Sequence, residues 1–443
     1  MTITYDRPRS RPAPAAPGEA YHHGSHRRLL ARADAAPQGR TLDAIVVPSA
    51  RPVGSLDNVI ALARHAKCTL VVLCSGRSRA GEVAARAGGD SRVTAIDVAG
   101  ARRILPALET TALHRSSQPH QPGDISVKRN LGLILARSAG WRRILFLDDD
   151  IEVPRPADLA EVAAVASGFD AVGLDNVGFH DNSVVCHAYR HIGGRQDTFI
   201  GGGAMVVRPH ATVSFFPEIY NEDWLFFLRN TSLGSVASHG TVIQQPFDPF
   251  DSPSRAASQE FGDCIAEGIY WLLDHGSPIR HADAAYWHRA LQRRRSFIDL
   301  IRLRMVNAPD PAGARRSILA SLDAARDAHA FITPKVCAGY MQAWHRDRAA
   351  WRRYLRSYEP TPVPRSAEAA CRDIGIPVNC DLRPAAPRSM RLSPSPGSLT
   401  VDEWHPSSDP LKIEISARSN GSSGRRSFSD GDLISSGTGT ESS

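Results

Sequence analysis

The chain has 443 residues, a formal net charge of +7, 42% hydrophobic and 22% charged residues. That is the composition of a folded globular protein and excludes disordered, fibrous and collagen-like classes. No stretch approaches the roughly 18 consecutive apolar residues of a membrane span, and Met1 to Arg40 lacks the apolar core of a secretory signal. Seven scattered cysteines without a CxxC pair indicate neither a disulfide framework nor a zinc motif, so a reducing, cytoplasmic setting is expected.

Residues 1–40, rich in Pro, Ala, Arg and His without a period, are expected to be disordered. Leu42 to Pro48 predicts a buried strand stopped by its proline, and Ser55 or Asp57 caps a helix through Arg64. Cys68 to Cys74 predicts a second strand, Ala80 to Ala87 a helix closed by Gly88-Gly89, and Arg92 to Val98 a third strand. Residues 100–124 read as irregular. Ser126 is expected to cap a helix ended by Gly140, and the apolar run Ile144 to Leu147 follows as a strand. This β-α-β-α-β-loop-α-β order predicts an α/β fold with a mostly parallel central sheet and helices on both faces.

A helix over Asp158 to Ala166, a strand over Ala171 to Leu174, a Gly-rich strand within Thr198 to Arg208 and a strand within Ser235 to Gln245 complete this domain, assigned to 41–250. From Ser252 the period is helical. Helices are expected around the Phe261–Leu272 stripe and over Ala285–Met305, Ala312–Ala328 and Pro334–Tyr358, making a C-terminal helical region 251–360. Residues 361–443, rich in Ser, Pro and Gly, are expected to be largely disordered. Residues 280–360 carry 16 Lys and Arg against 7 Asp and Glu, a balance of +9. Solvated helix faces are the first reading of that charge, and a phosphorylated substrate or peripheral contact with an anionic membrane the second. Nucleic acid is disfavoured because no recognition motif accompanies the charge.

The stretch that organises the chain is Ile144 to Leu147 running into Asp148, Asp149 and Asp150. Carboxylates at the carboxyl end of a buried strand stand where open α/β sheets place ligands. Side chains alternate along an extended segment, so Asp148 and Asp150 are expected to point the same way. Two hard oxygen ligands converging on one point suit Mn²⁺ or Mg²⁺ and a diphosphate. The alternative is a set of solvated acids after a strand. Lys128 and Arg129 offer cations for diphosphate oxygens or for salt bridges on a helix. Glu222 and Asp223 begin a short helix after the turn residues Pro217 and Asn221, where acids also favour the macrodipole. Gly201, Gly202 and Gly203 let backbone come close to a ligand.

The order of these parts resembles the family-2 glycosyltransferases of the GT-A fold, over about residues 42–250. An Arg129-Asn130-x-Gly132 helix leads into a strand ending in Asp148-x-Asp150, followed by a Gly-rich strand ending at Arg208 and the helix start Glu222-Asp223. The resemblance implies a metal-dependent transferase moving a sugar from a nucleotide-diphosphate donor to an acceptor hydroxyl. The acceptor class stays open among glycan, lipid-linked and small-molecule alcohols. Asp150 would hold Mn²⁺ or Mg²⁺, with Asp148 on the metal or the donor and His239 as a further ligand. Pro48, Arg51, Arg129, Asn130 and Asp149 would line the donor site, and Gly201 to Gly203 and Trp224 the acceptor side. Asp223 would act as base in an inverting displacement, with Glu222 as second candidate. The chain departs from the family pattern at Pro48-Ser49-Ala50-Arg51 and at Cys74-Ser75-Gly76, where nucleobase-reading acids are usual; Asp97 is the available substitute. A retaining GT-A enzyme, a nucleotidyltransferase and a non-catalytic nucleotide-sugar-binding module are the alternatives.

Overall fold

A computed structural model describes residues 21–33, 40–120, 123–307, 313–358 and 363–378. The parts of the expected tails at 1–20, 34–39, 361–362 and 379–443 lie outside them. The chain alternates β1 (Ala44–Ser49), α1 (Asp57–Ala66), β2 (Thr69–Cys74), α2 (Ala80–Arg86) and β3 (Val93–Asp97), then α3 (Val98–Ala101), α4 (Glu109–Ser117), α5 (Ile125–Ser138) and β4 (Ile144–Leu147). After these come β5 (Ile151–Glu152), α6 (Asp158–Val165), β6 (Ala171–Asn176), α7 (Val184–His191), β7 (Ala204–Val207), α8 (Glu222–Phe226) and β8 (Val236–Gln244). The helices α9 (Pro253–Asp274), α10 (Ala284–Asn307), α11 (Arg315–His329), α12 (Pro334–Leu355) and α13 (Ala367–Asp373) complete the described chain.

The strands form one sheet in the order β3-β2-β1-β4-β7-β6-β8-β5. The half β3-β2-β1-β4 is parallel, with Val46 paired to Val71 and Phe146. The sheet is mixed beyond β4, because β7 runs antiparallel to both β4 and β6, and β5 antiparallel to β8, while β8 runs parallel to β6. Alternation along each strand splits the core. Ala44, Val46, Ile144 and Phe146 face one apolar cluster with α5 and the C-terminal helices. Ile45, Val47, Leu145 and Leu147 face the other, with α1, α2 and α6. α9, α10, α12 and α13 therefore share the sheet's core, whereas α11 packs with α7 and α10 in a third apolar cluster. No helix among the described residues is long and apolar enough to cross a membrane.

Several local expectations are corrected. Pro48 does not stop β1 but lies within it, opposite Leu73. The pairing of β1 with β4 ends at Val46, so the missing N–H of Pro48 breaks no bond on that side. Asp124, not Ser126, occupies the N-cap of α5, and the Ser126 hydroxyl donates to the Pro217 carbonyl at 2.7 Å. The "irregular" 100–124 contains α4, which buries only Thr110 and His114. Its N-terminal amides donate to Asp347 of α12, from Glu109 at 2.9 Å and Thr110 at 2.8 Å. A cap contributed from so far along the chain leaves no local sequence signal. Parts of both flanks assigned to disorder are docked: His22 and His26 are buried, and α13 buries Ala367, Ala370 and Cys371.

Candidate active site

β4 ends at Leu147, and Asp148 to Asp150 form a turn in which the Ile151 N–H donates to the Asp148 carbonyl at 3.2 Å. Strand alternation stops there, so the three carboxylates do not sort as an extended segment would place them. Asp148 accepts from Arg129 at 3.0 Å. Asp149 and Asp150 instead share Arg51, at 2.6 and 2.8 Å, and Asp149 also accepts from the Ser49 hydroxyl at 2.7 Å.

Beyond Asp148 opens a cavity of about 210 Å³, walled by Arg129, Asp181, Gly201, Gly203, Tyr220, Glu222, Asp223 and Trp224 among others. The glycines of 201–203 have a use the sequence reading did not foresee. A Cβ at Gly201 would stand 3.3 Å from Asp223 and 3.5 Å from Asp181. One at Gly202 would overlap the Arg129 guanidinium at 2.5 Å, and one at Gly203 would press on Asp148 at 3.1 Å. The three bare positions make room for the cavity's own charged side chains. Gly132 serves the helix behind them, since a Cβ there would meet Val46 at 2.9 Å and Phe146 at 3.0 Å.

Arg129 is buried at 3% exposure and pairs with both Asp148 and Glu222. Asp223 accepts hydrogen bonds from its neighbour's backbone, Trp224 N–H at 2.8 Å, and from the Gly202 N–H. Burial, with the charges of Asp223 and Asp148, outweighs Arg129 and pushes the Glu222 carboxyl up. Burial likewise raises Asp148, against Arg129 and with Asp150 and Asp149 adding to the rise. Asp181 is solvent-exposed on the cavity lining. Its desolvation there, then the charges of Asp223, Asp148 and Asp150, push it up to about 7. Four carboxylates thus share one guanidinium, and at neutral pH such a cluster holds a proton or draws in a cation.

The expected residues are distributed as follows. Asp148, Glu222, Asp223, Trp224, Gly201 and Gly203 line the cavity with Arg129. The Trp224 ring packs on Tyr270, centroids 4.6 Å apart. Asn130 is committed to the fold, its amide donating to the Phe216 carbonyl at 2.7 Å and accepting from the Phe216 N–H at 2.9 Å. Lys128 is buried against the Ser49 carbonyl at 3.0 Å and the Ser75 hydroxyl at 2.7 Å. Pro48 is buried in β1, and Asp97 accepts from the Ala80 N–H at 3.1 Å, where α2 begins. His239 meets Glu161 at 3.3 Å. It precedes by five residues Gln244, the partner of Ile151, a span of roughly 16 Å along the strand. His239 therefore does not converge with Asp148 and Asp150. Sequence reasoning missed Asp181 and Tyr220, which no local motif marks.

No family model and no curated protein sequence matches the chain. Among solved structures that match is the mannosyltransferase PcManGT from Pyrobaculum calidifontis in complex with GDP-Man and Mn²⁺, at 12% identity and a TM-score of 0.37, over 75% of this chain and 94% of that one. That likeness is too distant to assign a fold family or an activity.

Proposed function

We propose that the chain is a glycosyltransferase, moving a sugar from a nucleotide-diphosphate donor to an acceptor hydroxyl with the help of Mn²⁺ or Mg²⁺. The observation that carries this reading is the surplus of carboxylates around Arg129 in an open cavity at the carboxyl end of β4. Hard oxygen donors fit a hard divalent cation. Asp148, on the cavity, would hold it, joined by Asp150 once Arg51 leaves that carboxylate. Arg51, 44% exposed over Asp149 and Asp150, is a counter-charge free to swing onto donor phosphates. When bound, the cation supplies charge neutralisation on the departing diphosphate.

Asp223 is the base in this reading. Its carboxylate is oriented by two backbone amides and opens on the cavity, where an acceptor hydroxyl can deliver its proton. Inversion at the anomeric carbon follows from a single displacement with such a base. Glu222 is spent on Arg129, so it positions that arginine. Tyr220 and Trp224 give the acceptor side an aromatic wall.

The test is nucleoside diphosphate release by the purified full-length chain across a panel of nucleotide sugars with Mn²⁺ or Mg²⁺. At least one donor is expected to be consumed, with EDTA abolishing turnover. Full turnover in EDTA would remove the metal from the proposal, and no turnover or metal-dependent binding of any donor would remove the reaction.

A further inference from the structure

Two other clusters among the described residues bring three metal-type ligands within 4.8 Å of one another: Glu260, Cys264 and His329, and His22, Cys186 and Glu267. They differ in what already neutralises them. In the first, Arg294 donates to both oxygens of Glu260, at 2.9 and 2.6 Å, and to Asp263 at 2.8 Å. A guanidinium stands where a cation would. In the second, Glu267 meets imidazoles, His22 at 3.7 Å and His26 at 3.2 Å, and no arginine hydrogen-bonds to it among the described residues.

We propose that His22, Cys186 and Glu267 bind a borderline-soft divalent cation of the zinc class, which latches the segment Tyr21 to Leu29 onto the wall of the cavity. Imidazole, thiolate and carboxylate together form a zinc-type donor set. The Cys186 sulfur lies 3.9 Å from His22 Nε2. Bonds of about 2.0–2.1 Å to nitrogen and 2.3 Å to sulfur at tetrahedral angles put the two ligands about 3.6 Å apart, so this pair needs little adjustment, while Glu267, whose 3.7 Å contact is with His22 Nδ1, turns toward the Nε2 side. Gln196, whose Oε1 contacts His22 Nε2, stands where a fourth ligand would come from.

The ligands are rigidly held from three parts of the fold. Cys186 sits in the first turn of α7, its amide bound by the Ser183 cap. Glu267 projects from the long helix α9. The His22 ring stacks on Phe297, centroids 4.5 Å apart, and meets Tyr189 edge-on. Binding replaces the Cys186 thiol proton, which passes to solvent, so no redox change is involved. Cys186, Gln196 and Glu267 also line the cavity, so the latch ties a segment that composition marks as disordered to the wall facing the acids.

The test uses the full-length chain made without a polyhistidine tag and measures bound metal after gel filtration. About one equivalent of zinc per chain is expected. His22→Ala and Cys186→Ser should lose it, while Asp150→Asn keeps it, which separates this site from the proposed Mn²⁺ or Mg²⁺ site. A chelator should lower the melting temperature of the wild type by several degrees but leave Cys186→Ser unmoved. Cobalt substitution gives a reading that does not depend on any variant folding, because thiolate ligation produces a sulfur-to-cobalt charge-transfer band. A metal-free chain whose melting temperature ignores added zinc, a Cys186→Ser chain that retains zinc, or a cobalt form without the thiolate band overturns the proposal. The segment would then be held by the pairs of His26 with Asp274 and Glu267, of Arg28 with Asp274 and of Arg27 with Asp175.

Discussion

Two arginines are buried among carboxylates, and the contrast between them separates scaffold from candidate chemistry. Arg294 joins Glu260 and Asp263, with His329 at 3.4 Å from Glu260, so both acids have a direct partner. Against the cost of burial, Arg294 and His329 hold the Glu260 carboxyl down to about 2. Arg129 faces Asp148, Glu222, Asp223 and Asp181, and there burial pushes up Asp148, Glu222 and Asp181, as it pushes up Asp263, to about 6, in the first cluster. The clusters are joined: Asn221, the left-handed N-cap of α8, donates to Asp263 at 2.8 Å. The balanced cluster thus holds the helix that presents Glu222 and Asp223 to the unbalanced one. A buried charge set that closes on itself specifies structure, and one left in surplus beside a cavity is available to a ligand.

The largest expected effect is on stability. Arg294→Met strands Glu260 and Asp263 in the interior and should cost about 3–5 kcal/mol in urea unfolding. Arg129→Met should cost clearly less, because Glu222 and Asp148 border the cavity and can take protons or water. Equal losses would erase the contrast. Comparable in size but opposite in kind is Asp223→Asn, expected to lower kcat by about 10²–10⁴-fold with donor affinity and unfolding midpoint little changed. Glu260→Gln should do the reverse, and if it abolished turnover in a still-folded chain, the balanced cluster would have a catalytic part.

How much of this was legible in sequence follows from how local each signal is. The parallel half of the sheet was readable because β1, β2 and β4 are short apolar runs bounded by turn residues, each the product of its own neighbours. Asp148, Glu222 and Asp223 could be picked because they sit at element ends. The direction of the aspartates was not readable, since it depends on β4 ending at Leu147 rather than on any pattern. α7 escaped because it is only eight residues long, too short a stretch for its periodicity to stand out. Asp181 carries no motif at all. Its character comes from Asp223, Asp148 and Asp150, brought beside it by the fold.

The N-terminal segment provides a third charge cluster, and its loss should cost an intermediate amount. Composition alone predicts that removing residues 1–38 changes stability little. His26 is buried and pairs with Asp274 and Glu267, and Arg28 reaches Asp274 at 2.6 Å, so the deletion should instead lower stability by about 1–3 kcal/mol. These partners raise His26 to about 9 despite its burial. A raised histidine contributes stability that is complete below its unfolded value of 6.5 and is lost as pH rises through about 9. The gap between full-length and truncated chains should accordingly narrow from neutral pH to alkaline pH in thermal melts, and a gap that widened would point to apolar burial as the main source.

The smallest effect is the one that most directly opposes the two arginine clusters, because it predicts opposite signs against pH. Glu260 is depressed from 4.5 to about 2. Its stabilising contribution is present above the unfolded value and disappears as pH falls through about 2, so Glu260→Gln should be costly at neutral pH and progressively less so in acid. Asp181 is raised from 3.8 to about 7. Between those values the folded chain binds the extra proton, so stability falls as pH rises across the window and stays lower above it. Asp181→Asn removes that penalty. At about pH 8 the variant should be more stable than wild type, and at about pH 3.5 the two should coincide. Asp181 is open to the cavity, so solvent screening limits the gain to a few tenths of a kcal/mol, about 1 at most. Urea unfolding of both variants across pH reads the two signs together. If Asp181→Asn were destabilising at high pH, the carboxylate would have a cation or donor partner there, and the surplus of acid that distinguishes the Arg129 cluster would shrink by one.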